Sequence, residues 1–483
     1  MRAPLGVAAA FAVSILLTGC GSMTSSTLHD RAARAALDPG SAPGGQLDNG
    51  QGSGGNVAPG SGSTSGGPGL TTGTATGGST GAGSTGTGST GTGASGSSSA
   101  STGGNGGATA TGVTSTSVTV GTVATLSGPV PGLFQGAVAG VKAYFAYVNS
   151  QGGLYGRTLK VDAKDDAFSC STNQKVTADA IKSDFALVGS FTVYDYCGAQ
   201  AIKAAPGVSD VSMSISSEHT ALKNTFPVQP VTPGFRTGAF EYYKATFGDA
   251  YQTTGTLYLN NPSAKSVYDD SKATMQHLGY KVVYERAITP TESNFTSDVI
   301  QMRQKNVKFV EMEANPPVIA NFMAAAAQQG FKPVVTTPGQ GYDRATLSQG
   351  GSAVDGLYTD TPTALYFNKD DAARIPEVAL YQKWMATAAP GVGLDLFSVY
   401  GWGQAELFVQ AARKVGPLLT RPALLSALGT IATFSDKVLA PGGPATKRPA
   451  TCYVLTKVVN GAFVRVDTPP ATFRCDGTFY RTG

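Results

Sequence analysis

Five cysteines (Cys20, Cys170, Cys197, Cys452 and Cys475), three histidines (His29, His219 and His277) and adjacent carboxylate pairs such as Asp165-Asp166 and Asp269-Asp270 are the groups suited to nucleophilic, acid–base or metal chemistry. Their spacing argues against catalysis. Neighbouring residues on a strand or helix point apart, so neither carboxylate pair converges on one bond. The sequence has no His-Glu-x-x-His, no Gly-x-x-x-x-Gly-Lys-Ser/Thr and no Gly-x-Ser-x-Gly between a strand and a helix. Gly-x-Gly-x-x-Gly occurs from Gly81, Gly86 and Gly91, but inside a five-residue low-complexity repeat. That fingerprint has meaning only between a strand and a helix. No enzyme activity, cofactor or metal site is expected, and the cysteines suit covalent attachment and cross-linking instead.

Cys20 supplies the attachment. Arg2 gives the start a positive charge, and an apolar run extends from Leu5 to Leu17. The run is shorter than the roughly 20 residues that span a hydrocarbon core, and its layout is that of a secretory signal. It ends in Leu17-Thr18-Gly19-Cys20, which resembles the bacterial lipobox. The resemblance implies a signal peptide over residues 1–19, cleavage before Cys20 and lipidation of its sulfur. Two acyl chains are enough for stable anchoring. The expected location is therefore extracytoplasmic, lipid-anchored to the bacterial cell membrane. Four cysteines then remain, an even set in a compartment that permits disulfides. Pairing neighbours along the chain would close loops worth roughly 3.5 kcal/mol each in the chain-entropy model. Three connectivities are open, and spacing alone does not choose among them.

From about Gly40 to Thr111 the chain is almost wholly Gly, Ser, Thr, Ala and Pro, with no charged residue between Asp48 and Lys142. Such a segment buries too little apolar surface to offset its chain entropy. Residues 20–112 are expected to form a disordered tether, spanning roughly 50 Å root-mean-square for about 90 residues. The net charge of +4 arises beyond it and is spread thinly. No basic cluster marks a nucleic-acid partner.

The remaining residues alternate between strand and helix patterns. Strands are expected at Val118–Ala124, Leu159–Ala163, Phe185–Val188 and Val208–Val211. A helix following Ser127-Gly128 runs to Asn149, with Val138, Val141, Phe145 and Val148 on its buried face. Further helices are expected near Asn173–Lys182 and Ala199–Ala204. After a break near Phe226–Gly238 the alternation restarts. Strands at Thr254–Leu259, Lys281–Ala287, Val307–Glu313 and Lys332–Thr337 alternate with helices at Ser266–Leu278, Phe295–Asn306 and Pro317–Gln329. Helices return at Ala372–Ala388, Leu396–Val415 and Pro422–Leu428, the last capped by Thr420. Asn460-Gly461 closes a terminal hairpin. Alternation of this kind argues for α/β architecture with parallel sheets covered by helices, here in two lobes.

"TLSGPVPGLFQGAVAGVKAYFAYVNSQGGLYGRTLKV" followed by "KDD" resembles the opening of the leucine/isoleucine/valine-type solute-binding proteins of ABC transporters. "GTLYLNNPSAKSVYDDSKATMQHLGYKVV" is similar to the start of their second lobe, and "YGWGQAELFVQAARKVG" to their late helix. The similarity runs from about Val118 to near Val466. It implies a type I periplasmic-binding-protein fold: two Rossmann-like lobes joined by a hinge, with a small solute held in the cleft. Lobe 1 would comprise residues 113–236 and 363–440, and lobe 2 residues 237–362 and 441–483. The resemblance also implies a first-lobe disulfide where Cys170 and Cys197 fall, which favours Cys170–Cys197 and Cys452–Cys475.

Ligands of such sheets bind beyond the carboxyl ends of the strands, where helix N-termini offer free N–H groups. The first-lobe candidates are Ser127 and Gly128, then Ser190, Phe191, Thr192 and Tyr194, then Ser212, Ser214 and Ser216. The second-lobe candidates are Ser263, Ala264, Asn315 and Gln340. Ser or Thr at such places equally serves as a helix cap or turn residue. In the amino-acid-binding relatives the position of Gln340 is typically acidic and meets the ligand's ammonium. Gln340 is neutral, so either Asp195 supplies the charge or the ligand lacks an ammonium. The expected function is an anchored receptor that traps an amino acid, amide or small organic acid and delivers it to an ABC permease. The alternative is a sensor or partner-binding module on the same fold, not coupled to transport.

Overall fold

The computed structural model describes residues 104–466 and 468–482. The signal peptide, Cys20 and nearly all of the expected tether lie outside the described residues. The last tether residues do not: Asn105 and Gly107 lend their carbonyls to the buried guanidinium of Arg157, which also donates to the carbonyls of Thr114 and Pro417. A buried guanidinium with five N–H groups needs several acceptors. Asn105 and Gly107 are thus held by Arg157.

Two sheets form the frame. The first is all parallel, in the order β2-β1-β3-β4, from Ser117–Ala124 (β1), Thr158–Asp165 (β2), Leu187–Val188 (β3) and Asp210–Val211 (β4). Helices α1 (Gln135–Ser150), α2 (Cys170–Ser183) and α3 (Asp195–Ala204) connect its strands. All four residues expected on the buried face of α1 are buried. The helix starts later than its pattern suggests, because Pro129 and Pro131 restrict the residues before them and Gly128 and Gly132 take positive φ. Two further strands, β5 (Phe235–Arg236) and β13 (Phe479–Tyr480), pair only with each other.

The second sheet runs β12-β11-β10-β9-β8-β6-β7. Its strands are Thr254–Leu259 (β6), Val282–Ile288 (β7), Phe309–Glu313 (β8), Val334–Pro338 (β9), Tyr358–Thr361 (β10), Val454–Val459 (β11) and Ala462–Arg465 (β12). Strands β6 to β10 are parallel, and β10, β11 and β12 pair antiparallel. Helices α4 (Gly238–Thr246), α5 (Pro262–His277), α6 (Thr296–Gln304) and α7 (Pro316–Gln328) precede or connect these strands. Strand β10 and helix α4 had no clear sequence signal: Tyr-Thr-Asp-Thr is short and mostly polar, and α4 carries four aromatic or glycine residues in nine. The Asn460-Gly461 turn joins β11 and β12 with both residues at positive φ.

Helices α8 (Pro376–Ala388), α9 (Leu396–Val415) and α10 (Arg421–Gly429) then return to the first sheet. Thr420 caps α10 as expected, accepting from the Ala423 amide. Helices α1 and α9 cross closely through glycine: a Cβ on Gly140 would sit 2.1 Å from the Ser398 carbonyl oxygen. The chain therefore crosses between sheets three times, after β4, after β10 and before β11. Gln229 ties the three crossings together. Its amide nitrogen donates to Pro362 O and Ala440 O, each at 3.0 Å, and its carbonyl accepts from the Tyr400 hydroxyl. Both neighbour pairings of the cysteines are present, Cys170–Cys197 and Cys452–Cys475. The first joins the N-terminus of α2 to the first turn of α3.

Candidate functional site between the two sheets

The carboxyl ends of β3, β4, β6, β8 and β9 face a cavity of about 230 Å³. An internal space near 150 Å³ already accommodates benzene. Its walls are mainly apolar. Phe134, Phe191 and Phe397 form one wall, with every pair of ring centroids 4.8 Å apart. The Tyr400 ring stacks on Phe191 at 6.0 Å. Leu259, Ala264 and Val267 contribute from the side of the second sheet. These residues reach the cavity because each follows a strand or opens a helix: Phe134 precedes α1, while Phe397 and Tyr400 occupy the first turns of α9.

Of the expected residues, Phe191, Ser214, Ala264, Asn315 and Gln340 line the cavity. Asn315 is already engaged, since its Oδ1 accepts from the Val318 amide at the start of α7 and its Nδ2 donates to Pro290 O. Gln340 sits in the short turn after β9, half-buried. Ser127 and Gly128 are exposed, and the Ser127 hydroxyl and amide both bond Asp165. Ser190 accepts from the Val123 amide, Ser212 accepts from the Ser190 amide, and Thr192 donates to Asp166. Ser216 caps the helical turn Ser217–Thr220. Tyr194 packs edge-on against Phe168. These seven serve the frame around the cavity; none is among its lining residues.

Ser263 and Asp195 act together. The Ser263 hydroxyl, at the start of α5, donates to Asp195 Oδ1 at the start of α3, joining the two halves beside the cavity at 3.0 Å. Asp195 Oδ2 accepts the Ile215 and Ser216 amides at 2.8 Å. His219 lies between two buried carboxylates, with Nε2 2.6 Å from Asp210 and Nδ1 3.5 Å from Asp195. Burial pushes the imidazole pKa down, but the two carboxylates outweigh it and raise it to about 9. Burial pushes Asp195 up, yet His219, the Ser216 amide and Ser263 hold it below the usual carboxylate range. Asp195 is thus fully occupied by protein groups.

The charged groups at the cavity itself are different ones. Arg236, on β5, lines it and pairs with buried Asp360 through Nε at 3.2 Å and Nη2. Glu313, the last residue of β8, also lines it. Burial pushes the Glu313 carboxyl up to about 8. Glu311, two residues earlier on the same face of the strand, is fully buried and accepts from the Thr336 hydroxyl; burial and Asp360 raise it well above the usual range. Sequence reasoning missed Phe134, Phe397, Tyr400, Arg236 and Glu313. The legible signal was Glu311-Met312-Glu313, acids alternating within an otherwise apolar central strand.

Residues 117–462 match the profile of the family described as "Periplasmic binding protein". The chain belongs to the periplasmic binding protein family. Members of this family bind solutes, which agrees with a cavity between two α/β halves. The Leu/Ile/Val-binding protein homolog 2 of Brucella abortus (strain 2308) is 22% identical over 316 residues, covering 62% of this chain and 79% of that protein. A fatty acid ABC transporter substrate-binding protein from Thermomonospora curvata has the same fold, with TM-score 0.64 and 20% identity over 74% of this chain and 93% of that one. A branched-chain amino acid ABC transporter protein from Thermus thermophilus, solved with bound valine, gives TM-score 0.63 and 15% identity over 73% and 96%. At such identities the solved structures establish the type I fold and not the solute. Among the described residues of this periplasmic binding protein, no helix is long and apolar enough to cross a membrane.

Proposed function

We propose that this chain is an extracytoplasmic receptor, anchored through Cys20, that traps a small and mainly apolar solute between its halves and delivers it to an ABC permease. The observation that carries the reading is the aromatic and aliphatic lining of the cavity at the strand carboxyl ends. Burial of an apolar body there contributes roughly 25 cal/mol per Å² removed from water. Phe134, Phe191, Phe397 and Tyr400 would hold that body, with Ser214 and Gln340 at polar positions. The solutes for which similar proteins are named, a fatty acid and branched-chain amino acids, share an apolar body and support this class. The hydrogen bond from Ser263 to Asp195 would favour the closed form in which the solute is held.

The test is mass spectrometry of small molecules released by denaturing protein purified from its own cells. A near-stoichiometric molecule with an apolar body is expected. Recovery of a highly polar solute, such as a sugar, would overturn the reading. For the anchor, Cys20→Ser is expected to move the protein from the membrane to the soluble fraction. An unchanged distribution would refute attachment at Cys20. Cross-linking in intact cells should recover a multi-span membrane protein and its ATPase; recovery of only soluble partners would refute the transport role.

A further inference from the structure

Glu313 is a buried group whose hydrogen bonding is only partly met: the Ser271 hydroxyl bears on its carboxyl and lowers its pKa, but one oxygen is left over. It is 6% exposed, lines the cavity, and its Oε1 has no hydrogen-bond partner among the described residues. A buried polar atom in this state is costly unless something completes it. Ser214 Oγ, fully buried on the opposite sheet's side of the cavity, likewise has no partner. The charges around Glu313 have a sign. Asp360, Asp270 and Glu311 act on it from neighbouring elements, and Arg236 is the cation that acts on it. Arg236 is already spent on Asp360. Acids therefore outnumber bases at this end of the cavity. Gln340 adds no charge, and Asp195 is fully engaged elsewhere.

We propose, resting on the apolar-solute reading above, that Glu313 is the polar anchor of the site and that the solute is an amine, its ammonium on the Glu313 carboxylate and its alkyl or aromatic body among the phenylalanines. An anionic headgroup would bring a negative charge beside Asp360 and Asp270, which already act on Glu313. A neutral hydroxyl would satisfy Oε1 and leave Glu313 protonated. Buried ammonium–carboxylate pairs are stable when both partners are hydrogen-bonded, and Ser214 offers the ammonium a second acceptor. Because burial keeps Glu313 protonated in the empty site up to about pH 8, the ammonium must displace that proton. The carboxyl O–H breaks, its proton passes to the buffer, and an N–H donates to the carboxylate in its place.

That exchange has its own signature in titration calorimetry of the full chain. Octylamine, octanoate and 1-octanol share one apolar body and differ only in headgroup. They would be titrated at pH 7.0 in phosphate and in Tris, whose ionisation enthalpies differ. Octylamine is expected to bind at least tenfold more tightly than the other two and to release close to one proton. Glu313→Gln should abolish both the release and the preference, and a cooperative denaturant transition with both disulfides intact shows that the variant is folded. Glu313→Asp should retain the proton release. Tighter binding of octanoate or octanol, amine binding without proton release, or release that persists in Glu313→Gln would overturn the amine while leaving an apolar solute standing. Binding of none of the three would overturn the amine, and the co-purified solute would then decide the apolar reading separately.

Discussion

Replacing His219 with glutamine removes the one cation between Asp195 and Asp210. His219 is 4% exposed, and its folded pKa is about 9 against an ordinary 6.5. A gap of about 2.5 units corresponds to ~3 kcal/mol of stability. The folded value is raised, so this contribution is fully present below pH 6.5 and is lost as pH rises through 9. Glutamine reaches as far but brings no charge, and breaking a buried pair this way leaves carboxylates uncompensated. The wild type should therefore exceed His219→Gln by ~3 kcal/mol at pH 6 and by much less at pH 9.5. Other buried groups also titrate in this range. Glu313, raised to about 8, sheds stability as pH rises, and Lys447, lowered to about 8, does the opposite. Both are common to the two proteins, so the difference between them isolates the histidine. Denaturant titrations at both pH values, with disulfides intact, give that difference. Histidine NMR reads the same quantity directly, because the chain has only three histidines. A gap independent of pH, or an imidazole midpoint at or below 6.5, would falsify the assignment.

Four further outcomes follow from contacts already described. Gln229→Leu orphans the Ala440 carbonyl and the Tyr400 hydroxyl, while Pro362 O keeps the Ala440 amide; a loss of about 1–3 kcal/mol per buried orphan is expected by denaturant titration, and an unchanged midpoint would show that the crossings do not depend on the amide. Ser263→Ala removes the bond to ionised Asp195 across the two halves; small-angle scattering should show a larger radius of gyration, and an identical profile would deny it a role in closure. Gly140→Val forces a side chain against the Ser398 carbonyl, where a Cβ alone would lie at 2.1 Å; overpacking should cost roughly 1–3 kcal/mol or more, and a neutral effect would mean that α1 and α9 can separate freely. Replacing Cys170 and Cys197 together by alanine opens a 27-residue separation; a loss of about 2–5 kcal/mol is expected, checked against the oxidised wild type in the same denaturant series.

The α/β alternation, the hairpin at Asn460-Gly461 and the Thr420 cap were legible because each depends on neighbours in sequence: periodicity of 2 or 3.6, a turn needing positive φ, a hydroxyl beside free amides. The pairing of the cysteines needed either a family resemblance or the fold, since spacing left three possibilities. The candidate site was half legible. Chain order placed Phe191, Ser214, Ala264, Asn315 and Gln340 at strand ends, where the topology opens a cleft. It did not show that Ser127, Ser190, Thr192, Ser212 and Ser216 spend their hydroxyls on the frame, because their partners lie up to 67 residues away. Nor did it show which acid is free. Asp195 and Glu313 read alike as carboxylates after strands or in them. Folding surrounds Asp195 with two amides, a hydroxyl and an imidazole, and leaves Glu313 facing an apolar cavity with an unpartnered oxygen. Local pattern determined where strands and helices form; the solvation and partners of each charge, which set its role, arise only when distant segments are packed together.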